Sequence, residues 1–166
     1  MNQIVPNNGV EPNTKVAREF WERFGGPDLL LTCIWPDGGK PLEAFRGTTA
    51  LKQAVKLNQA GYNIYFTPNR VNPVFAGKKP RKADITEIRT VYADIDWDRK
   101  KFKGDFPAGF AEVVNKCSQL MAMPQPPTLV IYTGGGIQPI WSLEALPNTA
   151  ENTQLAEATS RDRRVL

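Results

Sequence analysis

Tyr92-Ala93-Asp94-Ile95-Asp96-Trp97 reads as an apolar strand that carries two carboxylates two residues apart. Strand side chains alternate between faces, so Val91, Ala93, Ile95 and Trp97 point one way and Tyr92, Asp94 and Asp96 the other. One face suits a core. The other is edged by two negative charges about 6–7 Å apart, from two steps of about 3.3 Å. Carboxylates so placed repel each other and need solvent or a cation to compensate them. A divalent ion is the natural compensator, because Mg2+ and Mn2+ take oxygen ligands from one or two carboxylates plus a substrate's phosphates. The plainer alternative is a strand end that runs into an acidic turn, with Asp98 continuing the run.

A second motif lies downstream, at Thr128-Leu129-Val130-Ile131-Tyr132-Thr133-Gly134-Gly135-Gly136-Ile137-Gln138-Pro139-Ile140-Trp141. Three glycines between two apolar strands allow a turn whose backbone approaches a ligand closely and exposes its amides. A dinucleotide-binding loop is excluded, because Pro139 and the apolar run after the glycines oppose the helix that such a loop must open. A P-loop is excluded by the missing Gly-Lys-Ser/Thr ending. A glycine-rich hairpin with no ligand also fits these residues. Gln138, a polar amide inside an apolar strand, must find hydrogen-bond partners, and a phosphate or sugar is one candidate.

Around these motifs helix and strand signals alternate. Asn13 or Thr14 can cap a helix carrying Val16, Phe20, Trp21 and Phe24 at helical spacing, stopped by Gly25-Gly26. Leu29–Trp35 reads as a buried strand turning at Pro36-Asp37-Gly38-Gly39, followed by a short strand at Ala44-Phe45. A helix from about Thr49 to Ala60 turns Leu51, Ala54 and Val55 inward and closes at Gly61, and Tyr62–Thr67 alternates as a strand. Pro68–Lys82 is a basic loop and Ile88–Trp97 the acid-bearing strand. Phe110, Val113, Val114, Cys117 and Met121 mark a helix ended by Pro124 and Pro126-Pro127. Strands at Thr128–Tyr132 and Ile137–Leu143 and a weakly apolar helix at Ala150–Arg161 complete the chain. The pattern predicts an α+β fold, helices packed on a mostly antiparallel sheet.

Composition narrows the chemistry. A chain of 166 residues, 41% hydrophobic and 23% charged, can bury a core and is not of disordered type. No apolar run approaches the ~20 residues that span a bilayer. Residues 1–13 are polar, with Pro6 and Pro12, and read as a flexible leader rather than a signal peptide. Cys33 and Cys117 sit in separate apolar stretches and read as buried core thiols in a reducing cytoplasm. The chain has no histidine, which removes Ser-His-Asp and Cys-His catalysis and His-ligated zinc. The net charge is +4, and its cations cluster. Arg70, Lys78, Lys79, Arg81 and Lys82 precede the acid pair, while Arg99, Lys100, Lys101 and Lys103 follow it. Basic loops beside a carboxylate site suit a polyanionic substrate. Solvated loops kept soluble by charge are the plainer account.

Taken in order, an apolar strand ending Asp94-Ile95-Asp96, a helix, and a strand entering Thr133-Gly134-Gly135-Gly136 resemble the catalytic core of the archaeo-eukaryotic primase superfamily. The resemblance is to its phage and plasmid branch, the RepB-like primase-polymerases, and covers about residues 14–145. Ala60–Phe66 with Thr67-Pro68-Asn69 is similar to a strand followed by Asn upstream in that branch, and Lys82–Arg89 to the family's lead-in to the metal strand. The resemblance implies a primase-polymerase-like core with an RRM-like palm in residues 14–166. It implies that Asp94 and Asp96 are the catalytic residues and hold Mg2+ or Mn2+. Gly134, Gly135, Gly136 and Gln138 would contact the nucleotide, and Asn69, Arg70, Lys79 and Lys82 the template or triphosphate. The implied partners are single-stranded DNA template, nucleoside triphosphates and a replicative helicase domain or protein. The implied setting is the cytoplasm of a bacterial host, with the chain encoded by a phage, plasmid or other mobile element.

Two departures bear on activity. Gln138 stands where many members carry histidine, so its grip on a triphosphate lacks charge. The family's third carboxylate, on a later strand, has only Asp162 as a late candidate, and Asp162 comes too soon after Trp141 to be that ligand. The resemblance therefore implies a domain incomplete at its C-terminus. Three functions follow: nucleotidyl transfer in DNA priming or replication, nucleic-acid binding without turnover, and metal-dependent nuclease action.

Overall fold

The computed structural model describes residues 13–96, 106–132 and 136–162. The basic group at Arg99–Lys103, Trp97, Asp98, Gly134, Gly135 and most of the expected leader lie outside the described residues. The chain is α+β, with antiparallel sheets, and forms two compact units, one within Met1–Glu87 and the other within Ile88–Leu166.

In the first unit α1 (Thr14–Arg23) starts where the Asn13 side chain accepts a hydrogen bond from Val16 N–H at 3.1 Å, satisfying one of the helix's free donors. Gly25 and Gly26, at φ +132° and +53°, turn the chain out of the helix. β1 (Leu31–Ile34) is the centre of a three-stranded antiparallel sheet, between β2 (Pro41–Phe45) and β3 (Asn63–Phe66). Leu31 stands opposite both Phe45 and Phe66, so these three side chains share one face. That face meets α1 and α2 (Ala50–Gln59) in a core of Leu29, Leu31, Ala50 and Ala54, flanked by Phe20, Trp21, Phe24, Phe45, Ile64 and Phe66. Phe20 stacks on Phe24 at 4.7 Å and meets Phe66 edge-on at 4.8 Å. Helix α2 buries Ala50 and Ala54, while Leu51 and Val55, expected inward, are half-buried. It ends in a Schellman motif: Tyr62 N–H donates to Leu57 O, Gly61 N–H donates to Asn58 O, and Gly61 has φ +91°. Cys33 is fully buried, and burial followed by the nearby Glu43 charge pushes its thiol pKa up. It is a neutral core group, not a nucleophile. Cys117 is half-buried.

The expected basic loop is more ordered than its composition suggests. It contains β4 (Arg70–Val71), paired with the first residues of β5 (Ile85–Tyr92) through Arg70↔Glu87 and Val71↔Ile85. Arg46 is its anchor. The guanidinium donates to Asn72 O, Pro73 O and Phe75 O at 3.1, 3.0 and 2.9 Å, and more weakly to Val71 O at 3.5 Å. Asn72 N–H donates to Asp84 O, and Asp84 Oδ2 accepts from Arg81 N–H at 2.7 Å, closing the loop at a 3-10 turn over Lys82–Asp84. These bonds hold Lys78, Lys79, Arg81 and Lys82 outward, where all four are exposed.

In the second unit, β6 (Ile95–Asp96) and β7 (Leu129–Tyr132) flank the start of β8 (Gly136–Pro147), and β5 also neighbours β8. Helices α3 (Phe106–Met121) and α4 (Ala150–Asp162) complete the unit. Its core is Val91, Ala93, Ile95, Ile137 and Trp141 against Val113 and Leu120, with Cys117, Met123, Val130 and Ala156 packed on it. The Trp141 indole donates to Gln125 O at 3.0 Å, pinning the proline-rich turn after α3.

The expected continuous strand Ile88–Trp97 is two strands instead, interrupted at Ala93-Asp94. The cause lies across the sheet. Ala93 N–H donates to Pro139 O at 3.2 Å, but proline has no N–H to return the bond, so the ladder breaks there.

Because Arg46 supplies the charged donor for several backbone carbonyls, Arg46→Ala is expected to cost about 2–3 kcal/mol, at ~1.5–3 kcal/mol for a hydrogen bond to a charged group. Lysine, lacking the planar fork, should not restore it. Chemical denaturation gives the loss, and faster tryptic cleavage at Lys78 and Lys79 would locate it in the loop. An unchanged cleavage rate would refute the anchoring role.

Candidate metal and nucleotide site

The alternation read from the sequence is present in the fold. Val91, Ala93 and Ile95 are buried, whereas Tyr92, Asp94 and Asp96 are exposed. Both carboxylates therefore stand on the face of the sheet opposite the α3-covered core, at the end of the β5–β6 run.

The two sequence motifs meet in register. Asp96 is opposite Gly136 and Ile95 opposite Ile137. The Ala93-to-Pro139 hydrogen bond continues the same register and sets Asp94 opposite Gln138. Directly opposed residues share a face, so Asp94, Asp96, Gly136 and Gln138 lie together. Gln138 is half-buried and also faces Ile131 of β7.

Gly136 is required by space. A Cβ there would lie 2.3 Å from Ile95 O and 2.7 Å from Asp96 Cα. Both are backbone atoms of the acid strand and cannot swing away. Gly136 thus lets the start of β8 press against the acid strand beside Asp96. Beyond this, Tyr132 at the end of β7 is exposed and meets Phe110 of α3 edge-on at 5.6 Å. That aromatic pair belongs to the core face, since Tyr132 opposes Ile137.

Asn69, Arg70, Lys79 and Lys82 belong to the first unit. Asn69 is half-buried, and Lys79 and Lys82 are exposed. The Arg70 side chain, about one-third exposed, pairs with Glu87 at 3.1 Å and Asp28 at 3.4 Å, so its charge is already shared by two carboxylates. Arg46, which shapes the loop carrying these cations, was not legible beforehand. A lone arginine before Gly47 gives no local signal of carbonyls 25 to 29 residues away.

The donor set suits a hard divalent cation. Two exposed carboxylates on one face match an ion that takes one or two carboxylates and completes its shell with water and phosphate oxygens. Among the described residues, no group of three His, Cys, Asp or Glu side chains is placed to hold a metal. Asp162 ends α4, the last described element. No helix among the described residues is long and apolar enough to cross a membrane.

No protein-family model matches the chain, and no curated protein matches it. Among solved structures, it is similar to the AEP domain of the cyanophage S-2L primase-polymerase. The match has 21% identity and a TM-score of 0.42, and covers 73% of this chain and 56% of that one.

Gly136→Ala must displace backbone of either β6 or β8, and is expected to destabilise the second unit by about 2–3 kcal/mol, in the range of overpacking costs. Thermal or denaturant unfolding measures this. A variant as stable as the parent would show that the contact is not required by the fold.

Proposed function

We propose that the chain is a metal-dependent nucleotidyltransferase module that acts in priming or replicating the DNA of a phage, plasmid or other mobile element. The observation that carries this reading is the shared face of the two motifs. Asp94 and Asp96 stand exposed on it, in register with Gln138 and with Gly136, whose missing Cβ admits the close approach of β8.

In this reading Asp94 and Asp96 would hold Mg2+ or Mn2+. The bound ions would lower the pKa of a primer 3′-hydroxyl and offset charge on the triphosphate and departing pyrophosphate. The remaining roles belong to the chain itself. Gly134, Gly135 and Gly136 would offer backbone amides to the nucleotide's phosphates, and the missing Cβ of Gly136 admits the close approach of β8 to the acid strand. Gln138 orients sugar or phosphate through its amide, without adding charge. Lys79 and Lys82, held outward by the Arg46-anchored loop, would meet phosphates of the template strand. Asn69 contributes a neutral contact, and Arg70 would exchange its carboxylate partners for phosphate. Synthesis joins the 3′-oxygen to the α-phosphorus, breaks the bond to pyrophosphate and releases the hydroxyl proton. Single-stranded DNA and nucleoside triphosphates are the corresponding partners, with a replicative helicase as a further one.

A second reading is favoured by one specific observation. No third carboxylate joins the pair among the described residues. A two-acid site can leave the scaffold and its affinity for nucleic acid in place without productive nucleotide binding or turnover, which describes a nucleic-acid-binding module.

Calorimetric titration of a nucleoside triphosphate in the presence of Mn2+ tests the site directly. Binding is expected to require the metal and to be lost in Asp94→Asn/Asp96→Asn, whose circular dichroism should match the parent because both side chains are exposed. Metal-dependent binding that survives both substitutions would remove these residues from the site. Absence of binding by the folded parent would give precedence to the second reading.

A further inference from the structure

We propose that the groove between α1 and α2 binds the backbone of single-stranded nucleic acid, independently of the acid pair. The groove has a volume of about 600 Å3 and lies wholly within the first unit. Helix α1 lines it with Arg18, Trp21 and Glu22, and α2 with Lys52 and Lys56. Three cations thus face one carboxylate.

The arrangement works against the helix that carries it. Lys52 and Lys56 are four residues apart on one face, a spacing at which like charges destabilise a helix. Among the described residues none of the three cations makes an ion pair that would offset this. All three are exposed. Such a groove gains most from a ligand that brings a row of negative charges. Along the helix axis the two lysines are ~6 Å apart, from four steps of 1.5 Å. That separation is of the order of the spacing between successive phosphates in an extended strand.

Charge complementarity calls for a polyanion: lysines meet phosphates as point charges, and the arginine fork can bind a phosphate through two hydrogen bonds. Trp21 adds an aromatic side chain, and cationic grooves with aromatic walls are the usual means of tracking single strands. The site is concave, so it receives a flexible strand; duplex DNA is read by elements that protrude into its groove. The choice of ligand rests on the nucleic-acid reading above, while the surface uses none of its site residues.

Fluorescence anisotropy with a labelled oligothymidylate, in EDTA and without nucleotide, tests the groove over a series of salt concentrations. Arg18→Ala/Lys52→Ala/Lys56→Ala is expected to weaken binding at least tenfold. It should also flatten the log–log salt dependence by about 2, at ~0.7 per phosphate contact on a single strand. Glu22→Gln, which removes only the opposing charge, should bind more tightly. Unchanged affinity and slope in the triple variant would overturn the proposal, as would no binding by the parent chain. Loss confined to Lys78→Ala/Lys79→Ala/Lys82→Ala would also overturn it, by placing the contacts on the loop. Because EDTA removes the metal, failure of the acid-pair site leaves this result unaffected.

Discussion

The candidate site depends on how closely the backbone of β8 approaches that of β6. At Gly136 the distance left for a side chain is shorter than any carbon can occupy. Only a residue without a Cβ lets β8 begin where it does, and only that start sets Asp96 opposite Gly136 and Asp94 opposite Gln138. A shift of one residue would reverse every side chain, turning Ile95 to solvent and the aspartates into the core. The same register gives the core its Ile95 and Ile137 contacts. Packing of the apolar face and exposure of the acid pair are therefore consequences of one constraint.

Pro139 acts on the same strand in a different way. As a residue inside β8 it cannot donate to Ala93, so the acid-bearing run leaves the ladder at Ala93-Asp94. Pairing resumes at Ile95 and Asp96, opposite Ile137 and Gly136. The result is a carboxylate, Asp94, on a backbone segment outside the regular ladder, beside one, Asp96, that is fixed in it.

Local signals were the most legible in the sequence. The Asn13 cap, the Gly25-Gly26 stop and the Gly61 closure were all readable, because each depends on residues within a turn of the event. The inward and outward faces of the acid strand were readable too, since alternation needs no knowledge of partners. The break at Ala93-Asp94 was not, because its cause is a proline 46 positions later in the chain, the difference between 139 and 93. Nor was the order in Pro68–Lys82. Its proline, glycine and lysine content describes a solvated loop, but Arg46 and Asp84 convert it into an anchored structure through bonds to backbone carbonyls and amides.

The charges follow from the same division between packing and exposure. The acid strand cannot bury Asp94 and Asp96 without large desolvation costs, so they occupy exposed positions on the face opposite the α3-covered core. In the first unit the loop cations are kept outward by Arg46, a half-buried donor that directs its own charge to carbonyls rather than to acids. Arg70, by contrast, is paired with Glu87 and Asp28. Among the described residues, Arg18, Lys52 and Lys56 along the α1–α2 groove have no ion-pair partner, and the anchored loop displays its lysines outward. Charge left uncompensated within a folded unit is a standing cost of self-repulsion, and a polyanion relieves it at every phosphate it brings.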